Sequence, residues 1–299
     1  MTTENVHINE ALVRHLIASQ FPQWGDLPIK PVEFDGHDNT TYRLGENMSV
    51  RLPTHKVYAR QVEKEHRWLP KLAPNLPLPI PTPIAKGAPT DDFALPWSIY
   101  RWLKGQDAER EPFADINQAA TALGEFLAAL QRNETSGWPS PGYEQLFRGA
   151  PPEIFAAETR DTITALKDTI DTEAATAVLE AALAAPAWHG PPVWFHGDLS
   201  ASNLLVENGQ LSAVIDFGSA AVGDPACDLM FAWKIFSGES LRAFRAALPF
   251  DNATWARGRG WAIWKGLITL AEHIDTNPVE AEKARHFCEA VLADFKMNS

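Results

Sequence analysis

Three oxygen-bearing side chains lie close together in the run WFHGDLSASNLLVENGQLSAVIDFGSA, from Trp194 to Ala220. Asp198 follows a His-Gly pair, Asn203 comes five residues later, and Asp216 opens an Asp-Phe-Gly thirteen residues beyond that. Moving the terminal phosphoryl of a nucleotide requires a carboxylate to orient and deprotonate a hydroxyl, oxygen ligands for Mg²⁺, and a cation on the phosphates. Mg²⁺ takes hard oxygen donors, one or two of them carboxylates and the rest phosphate and water. Two short apolar runs between Asn203 and Asp216 flank Asn208-Gly209, a pair that favours the tight turn of a β-hairpin. Such a hairpin returns an amide oxygen and a carboxylate to one another, with Asp198 on the loop before it.

The elements around this hairpin follow from spacing. NEALVRHLIASQF from Asn9 has Leu12, His15, Leu16 and Phe21 near helical period, which predicts an N-terminal helix. IKPVEFDGHDNTTYRLGENMSVRLP reads as three antiparallel strands, with turns at Gly36–Asn39 and Gly45–Asn47. YARQVEKEHRWLPKLAP places Val62, Trp68, Leu69 and Leu72 on one helical face, and Pro74 stops it. The prolines at 74, 77, 79, 81 and 83 force extended chain, either an edge strand or a polyproline-like connector. WSIYRWLKG is a further strand, running out at Gly105. After it come Ala/Leu-rich helical runs, then the hairpin, then helix from DPACDLMFAWKIF to the end. The expected fold is α+β and bilobal: a small β-rich N-lobe over residues 1–103 and a larger, mainly helical C-lobe over 104–299.

The 299 residues carry 38 acids against 26 bases, a formal charge of −12. That balance excludes a basic nucleic-acid-binding field and suits a cationic small molecule, although acidic solvated surfaces also serve solubility alone. Two cysteines are too few for a disulfide framework, so free thiols in a reducing cytosol are expected. The N-terminal MTTENVHINE lacks the basic and apolar segments of a secretory signal, and no run approaches a membrane span. A cytoplasmic protein, with no membrane and no protein partner implied, is the expectation.

The Asp, four residues, Asn and then Asp-Phe-Gly pattern is also that of protein kinases, with Gly197 where their signature has Arg. HGDLSASN, VIDFG and GDPACDL together resemble the aminoglycoside phosphotransferase family of the kinase-like superfamily. The resemblance covers most of the chain in organisation, with its specific residues inside 196–229. It implies a protein-kinase-like fold, Asp198 as catalytic base, and Asn203 and Asp216 as Mg²⁺ ligands. His196 and Asp228 then support the catalytic loop through hydrogen bonds.

The same resemblance places the phosphate-binding cation at Arg51, where a lysine is usual, with Glu65 rather than Glu63 as its helix partner. Arginine can hold two phosphate oxygens with its planar fork but is bulkier than lysine. DGHDNTTY stands in place of a Gly-rich loop with Gly36 as its sole glycine, and the hydroxyls of Thr40 and Thr41 could meet phosphates. A plain hairpin turn is the competing reading. IYRWLKG aligns with the interlobe hinge, where Arg101 and Leu103 would meet the base and Tyr100 would back it. ATP and GTP are both open as donor.

The acceptor end is the least defined. Glu153, Glu158, Asp161, Glu239, Glu272 and Asp275 are candidate partners for ammonium groups, and Trp233, Trp261 and Trp264 candidate stacking surfaces. Most helix acids face water, and most such tryptophans are core. The expected activity is a nucleoside-triphosphate-dependent O-phosphotransferase acting on a small-molecule hydroxyl, with aminoglycoside-type antibiotics first. Macrolides, amino alcohols such as choline or homoserine, and sugars are alternatives, because fold kinship does not fix the acceptor. A nucleotide-binding pseudokinase is a further alternative, with Arg51 as its supporting feature. A two-metal phosphohydrolase would want more histidines beside the aspartates than His196 and His189.

Overall fold

The computed structural model describes residues 8–33, 38–138 and 148–298, which divide into two units. The first comprises residues up to Gln106 together with Ser212–Gly218, and the second the remainder.

In the first unit, helix α1 (Glu10–Gln20) starts at Asn9, whose side chain accepts from the Leu12 amide at 2.9 Å. Five strands form one antiparallel sheet: β1 (Ile29–Pro31), β2 (Asn39–Leu44), β3 (Met48–Pro53), β4 (Pro83–Gly87) and β5 (Trp97–Arg101), in the order β1-β2-β3-β5-β4. Alternation gives the sheet two unlike faces. Tyr42, Leu44, Val50, Leu52, Trp97 and Ile99 pack with Val13, Leu16 and Ile17 of α1 in a closed apolar core. Thr41, Arg51, Ser98 and Tyr100 occupy the opposite side by register. Helix α2 (Lys56–Leu72) buries Val62, Glu65, Trp68, Leu69 and Leu72, and packs against β3, β4 and β5. Pro70 is accommodated in its last turn. Of the proline-rich stretch, Pro74 lies in a 3₁₀ turn over Ala73–Asn75 rather than in extended chain, and the edge-strand form begins only at Pro83. Residues 76–82 have no regular structure, and Pro83 opens β4 at the sheet edge, where its missing N–H is tolerated. Of the two turns expected between the first three strands, residues 34–37 of one lie outside the described residues, and Asn39 belongs to β2.

Three bonds explain why Ser212–Gly218 groups with the first unit despite its distance in sequence. Val214 donates its amide to the Pro79 carbonyl at 3.1 Å, and Ser212 its hydroxyl to the Lys104 carbonyl at 3.4 Å. The Lys64 ammonium of α2 donates to the Gly218 carbonyl.

The second unit is mainly helical. It contains α3 (Ile116–Gln131), α4 (Glu153–Ala165), α5 (Thr172–Ala184), α6 (Ala232–Ile235), α7 (Gly238–Ala247), α8 (Asn252–His273) and α9 (Pro278–Asn298). Helix α8 packs against α4, α5, α9 and a 3₁₀ segment at Pro225–Phe231. Asp224 caps that segment through the Ala226 amide at 3.0 Å and receives the buried Arg257 guanidinium at 2.6 and 3.3 Å. Continuing the strand numbering, β6 (Gln106–Asp107), β8 (Leu204–Glu207) and β9 (Gln210–Val214) are hydrogen-bonded in the order β6-β8-β9, with Gln106 and residues 212–214 of β9 counted in the first unit. Asn208 and Gly209, both in the left-handed region at φ 54° and 74°, form the turn between β8 and β9 as their types require. Two strands too short for any periodic signal, β7 (Val193–Phe195) and β10 (Ala221–Gly223), pair antiparallel with Phe195 opposite Ala221.

Candidate functional site

In the second unit, β7 delivers the chain into His196-Gly197-Asp198, and the backbone there is pinned from several sides. The buried Asp228 carboxylate of the 3₁₀ segment accepts from the His196 amide at 2.8 Å and the Gly197 amide at 2.7 Å, one on each oxygen. Burial pushes the Asp228 carboxyl up, opposed by His196, the two amides and Arg148. Arg148 donates Nε to the Gly197 carbonyl at 3.0 Å and lies over the rings of Trp261 and Trp264, 5.4 and 5.7 Å from their centroids. His196 is fully buried and accepts the Asp198 amide on Nδ1 at 3.3 Å.

Gly197 explains why the arginine of the protein-kinase signature is absent. Its φ is +82°, and a Cβ there would lie 2.7 Å from the Ser219 carbonyl oxygen. With its neighbours buried and bonded, Asp198 alone in this turn is exposed. Asn203, buried at the end of a short 3₁₀ turn, donates Nδ2 to the Asp198 carbonyl at 2.8 Å. That bond uses the amide nitrogen, so the side chain's other polar atom is its amide oxygen, the kind of hard donor a magnesium ion takes.

In the first unit, Arg51 on β3 faces Glu65 of α2, with Nη1 4.0 Å from Oε2. Glu63, two residues earlier, is exposed and pairs with Lys86 at 2.7 Å. The Tyr100 hydroxyl donates to the same Glu65 Oε2, and the Arg51 guanidinium lies 5.5 Å from the Tyr100 ring centroid. Burial lowers the Arg51 pKa, but Glu65, Tyr100, Asp216 and Asp38 outweigh it and the net shift is upward. Arg51 therefore keeps its charge.

Asp216 sits in the same field, half-buried and left-handed at φ 65°. It accepts from the Gly218 amide at 3.3 Å, while Lys64 holds the Gly218 carbonyl. A carboxylate and an amide oxygen, Asp216 and Asn203, are the donor types Mg²⁺ prefers, and this chemistry fits. Among the described residues no three His, Cys, Asp or Glu side chains cluster as a self-sufficient metal site.

Thr40 and Thr41 are separated by strand alternation. Thr41 pairs with Arg51 and shares its face, whereas Thr40 pairs with Leu52 on the apolar side. Arg101 and Trp102 have their amides committed to the Thr82 and Asn47 carbonyls at 2.9 and 2.8 Å, and Leu103 follows two residues after the end of β5. Among the acceptor-end candidates, Trp233 and Trp261 are core. Trp264 is half-buried, stacks on Phe155 at 5.4 Å and 19°, and donates to Glu158 at 2.6 Å. Sequence alone does not single out Arg148, Lys64 or Gln61, which donates Nε2 to Asp38 Oδ2 at 3.1 Å. They sit in loop or helix runs without pattern and acquire their partners only in three dimensions. Both cysteines are buried free thiols, with Cys288 pushed by burial up to about 12.

The sequence matches the phosphotransferase enzyme family over residues 29–261. The chain belongs to that family. A relative of this phosphotransferase is hygromycin-B 4-O-kinase of Escherichia coli, 25% identical over 229 residues. The match spans 72% of this chain and 66% of the kinase's own length, a little under two thirds. Among solved structures, the GDP complex of wild-type aminoglycoside 2'-phosphotransferase-IIIa matches with a TM-score of 0.69 at 19% identity, covering 96% of this phosphotransferase and 100% of that chain. Macrolide 2'-phosphotransferase from Brachybacterium faecium, as the apoenzyme, matches with a TM-score of 0.59 at 22% identity, over 95% and 98%. These likenesses establish the aminoglycoside-phosphotransferase, kinase-like fold. No described helix of this family member is long and apolar enough to cross a membrane.

Proposed function

We propose that this family member transfers the γ-phosphoryl of ATP or GTP to a hydroxyl of a small molecule, with Asp198 as the base. The observation that carries the reading is the exposed Asp198 carboxylate on a turn whose flanking backbone is held by Asp228, Arg148, His196 and Asn203. A base that must line up a hydroxyl for in-line attack gains most from such fixed geometry. Asp198 accepts the hydroxyl proton as the acceptor oxygen attacks the γ-phosphorus; the bond from that phosphorus to the β–γ bridging oxygen breaks, and the nucleoside diphosphate leaves. Arg51 offers its guanidinium to the phosphates, with the Glu65 carboxylate 4.0 Å away to balance its charge. Asn203 and Asp216 are the residues to hold Mg²⁺, which when bound neutralises phosphate charge. Thr41, on the Arg51 face, is the better placed of the two threonines to approach phosphate.

An aminoglycoside-type antibiotic is the first acceptor to test, in keeping with the hygromycin-B 4-O-kinase relative and the acidic balance of the chain. The assay is release of nucleoside diphosphate from ATP and from GTP with Mg²⁺, across aminoglycosides, macrolides, amino alcohols and sugars. Stimulation by one class is expected, with Asp198→Asn losing at least about 100-fold in turnover, the usual scale of a general base, while nucleotide affinity stays near wild type. Near-wild-type transfer by Asp198→Asn would overturn the assignment.

A further inference from the structure

Glu65 Oε2 has two suitors. The Tyr100 hydroxyl bonds it directly, while the nearest Arg51 nitrogen stands 4.0 Å away, beyond hydrogen-bond reach. The Arg51 guanidinium makes no hydrogen bond among the described residues, yet the side chain is only 21% exposed and lies against the Tyr100 ring. An arginine beside a carboxylate ordinarily closes into a bidentate fork, two parallel N–H bonds that use up its donors. A lysine at the same place has no fork to close. The chain has replaced the usual lysine by arginine and has a phenol occupying the carboxylate oxygen nearest to it.

We propose that Tyr100 is a positioning residue: by holding Glu65 Oε2, its hydroxyl keeps Arg51 from forking onto Glu65 and leaves the guanidinium donors for nucleotide phosphates. This rests on the nucleotide-dependent reading above and adds a role for Tyr100 distinct from shaping the space behind the base. Register supports it, since Ser98 lies opposite Arg51 and Tyr100 opposite Ser49, so Arg51 and Tyr100 are diagonal neighbours on one sheet face. Burial, then Glu65, holds the Tyr100 phenol well above its ordinary value, which keeps the proton it donates. Among the described residues, the phenol's electrostatic partners are Glu65, Arg51 and Ser98, with the His66 ring 6.4 Å from its own.

The test is a double-mutant cycle on the full chain, reading equilibrium affinity for MgATP, MgGTP and the nucleosides adenosine and guanosine by calorimetry. Tyr100→Phe keeps the ring and removes the hydroxyl. It is expected to weaken the triphosphates about tenfold, the scale of one charge-assisted hydrogen bond, with nucleoside affinity unchanged. In the Arg51→Lys background the same change is expected to cost less than about twofold, because a lysine cannot fork. A general folding defect would persist in that background, so the rescue separates positioning from structure. Unchanged triphosphate affinity in Tyr100→Phe overturns the proposal, as does an equal loss for triphosphate and nucleoside, or an equal loss in both backgrounds. If the wild-type chain binds neither triphosphate, the nucleotide-dependent reading falls, and this proposal with it.

Discussion

Replacing Asp228 by Asn tests the catalytic-loop argument at its foundation. Each carboxylate oxygen of Asp228 accepts one buried backbone N–H, at 2.8 and 2.7 Å. Asparagine keeps one acceptor oxygen and turns an NH₂ donor toward the other amide. The amide on that side then loses its carboxylate acceptor in a site where Asp228 is 2% exposed. Leaving a buried donor unsatisfied costs about 1–3 kcal/mol, and hydrogen bonds to a charged group contribute about 1.5–3 kcal/mol. Against this, a neutral amide is cheaper to bury than a carboxylate whose pKa burial already raises. Setting the two against each other leaves a net loss of about 2 kcal/mol. Urea unfolding followed by tryptophan fluorescence reads it, with Trp194 buried in β7 as a reporter. Phosphoryl transfer should fall more steeply than stability, because the freed turn no longer aims Asp198. A variant within about 0.5 kcal/mol of wild type, with unchanged turnover, would refute the claim that Asp228 holds this turn.

Other substitutions probe separate links. Gly197→Ala combines a left-handed φ, about 1–2 kcal/mol for a residue with a Cβ, with a 2.7 Å approach to the Ser219 carbonyl; a lower urea midpoint and at least tenfold less transfer (a rough scale for a displaced base) are expected. Arg257→Met strands the buried Asp224 carboxylate and should cost about 3–5 kcal/mol in urea unfolding, and adding Asp224→Asn should recover part of it by removing the lone charge. His66 is held below its ordinary 6.5 by burial and then by Lys86, with Glu63 opposing. The unfolded chain therefore takes up that proton first as pH falls through 6.5, and stability declines from there toward the lower folded pKa. Thermal midpoints measured across this window should fall on acidification, and His66→Gln should flatten the slope.

Local chemistry made much of the architecture readable. The Asn208-Gly209 turn, the Asn9-started helix and the buried stripe of α2 each follow from residue types acting within a few positions of one another. The buried Glu65 lies on that stripe beside Val62 and Trp68, so its offset from the following prolines and its helical phase agree. What sequence could not carry was pairing between distant short segments. Val193–Phe195 and Ala221–Gly223 are three residues each and show no alternation, yet their pairing delivers the turn that contains Asp198. Arg148 is one loop arginine among many until the Gly197 carbonyl gives it a role. The same holds for Tyr100, whose hydroxyl finds Glu65 thirty-five residues away.

The first unit is discontinuous, and that has a consequence for how the chain is made. When residue 106 leaves the ribosome, the Pro79 and Lys104 carbonyls and the Lys64 ammonium still lack the partners that Ser212–Gly218 will bring. Some hundred residues of helical chain must be synthesised before they arrive, at a rate of about 5–20 residues per second. For several seconds the nascent β-rich unit is missing its last segment, and with it Asp216. A fragment ending at Gln106 would be frozen in that unfinished state, and the shortest chain that can complete this unit reaches Gly218.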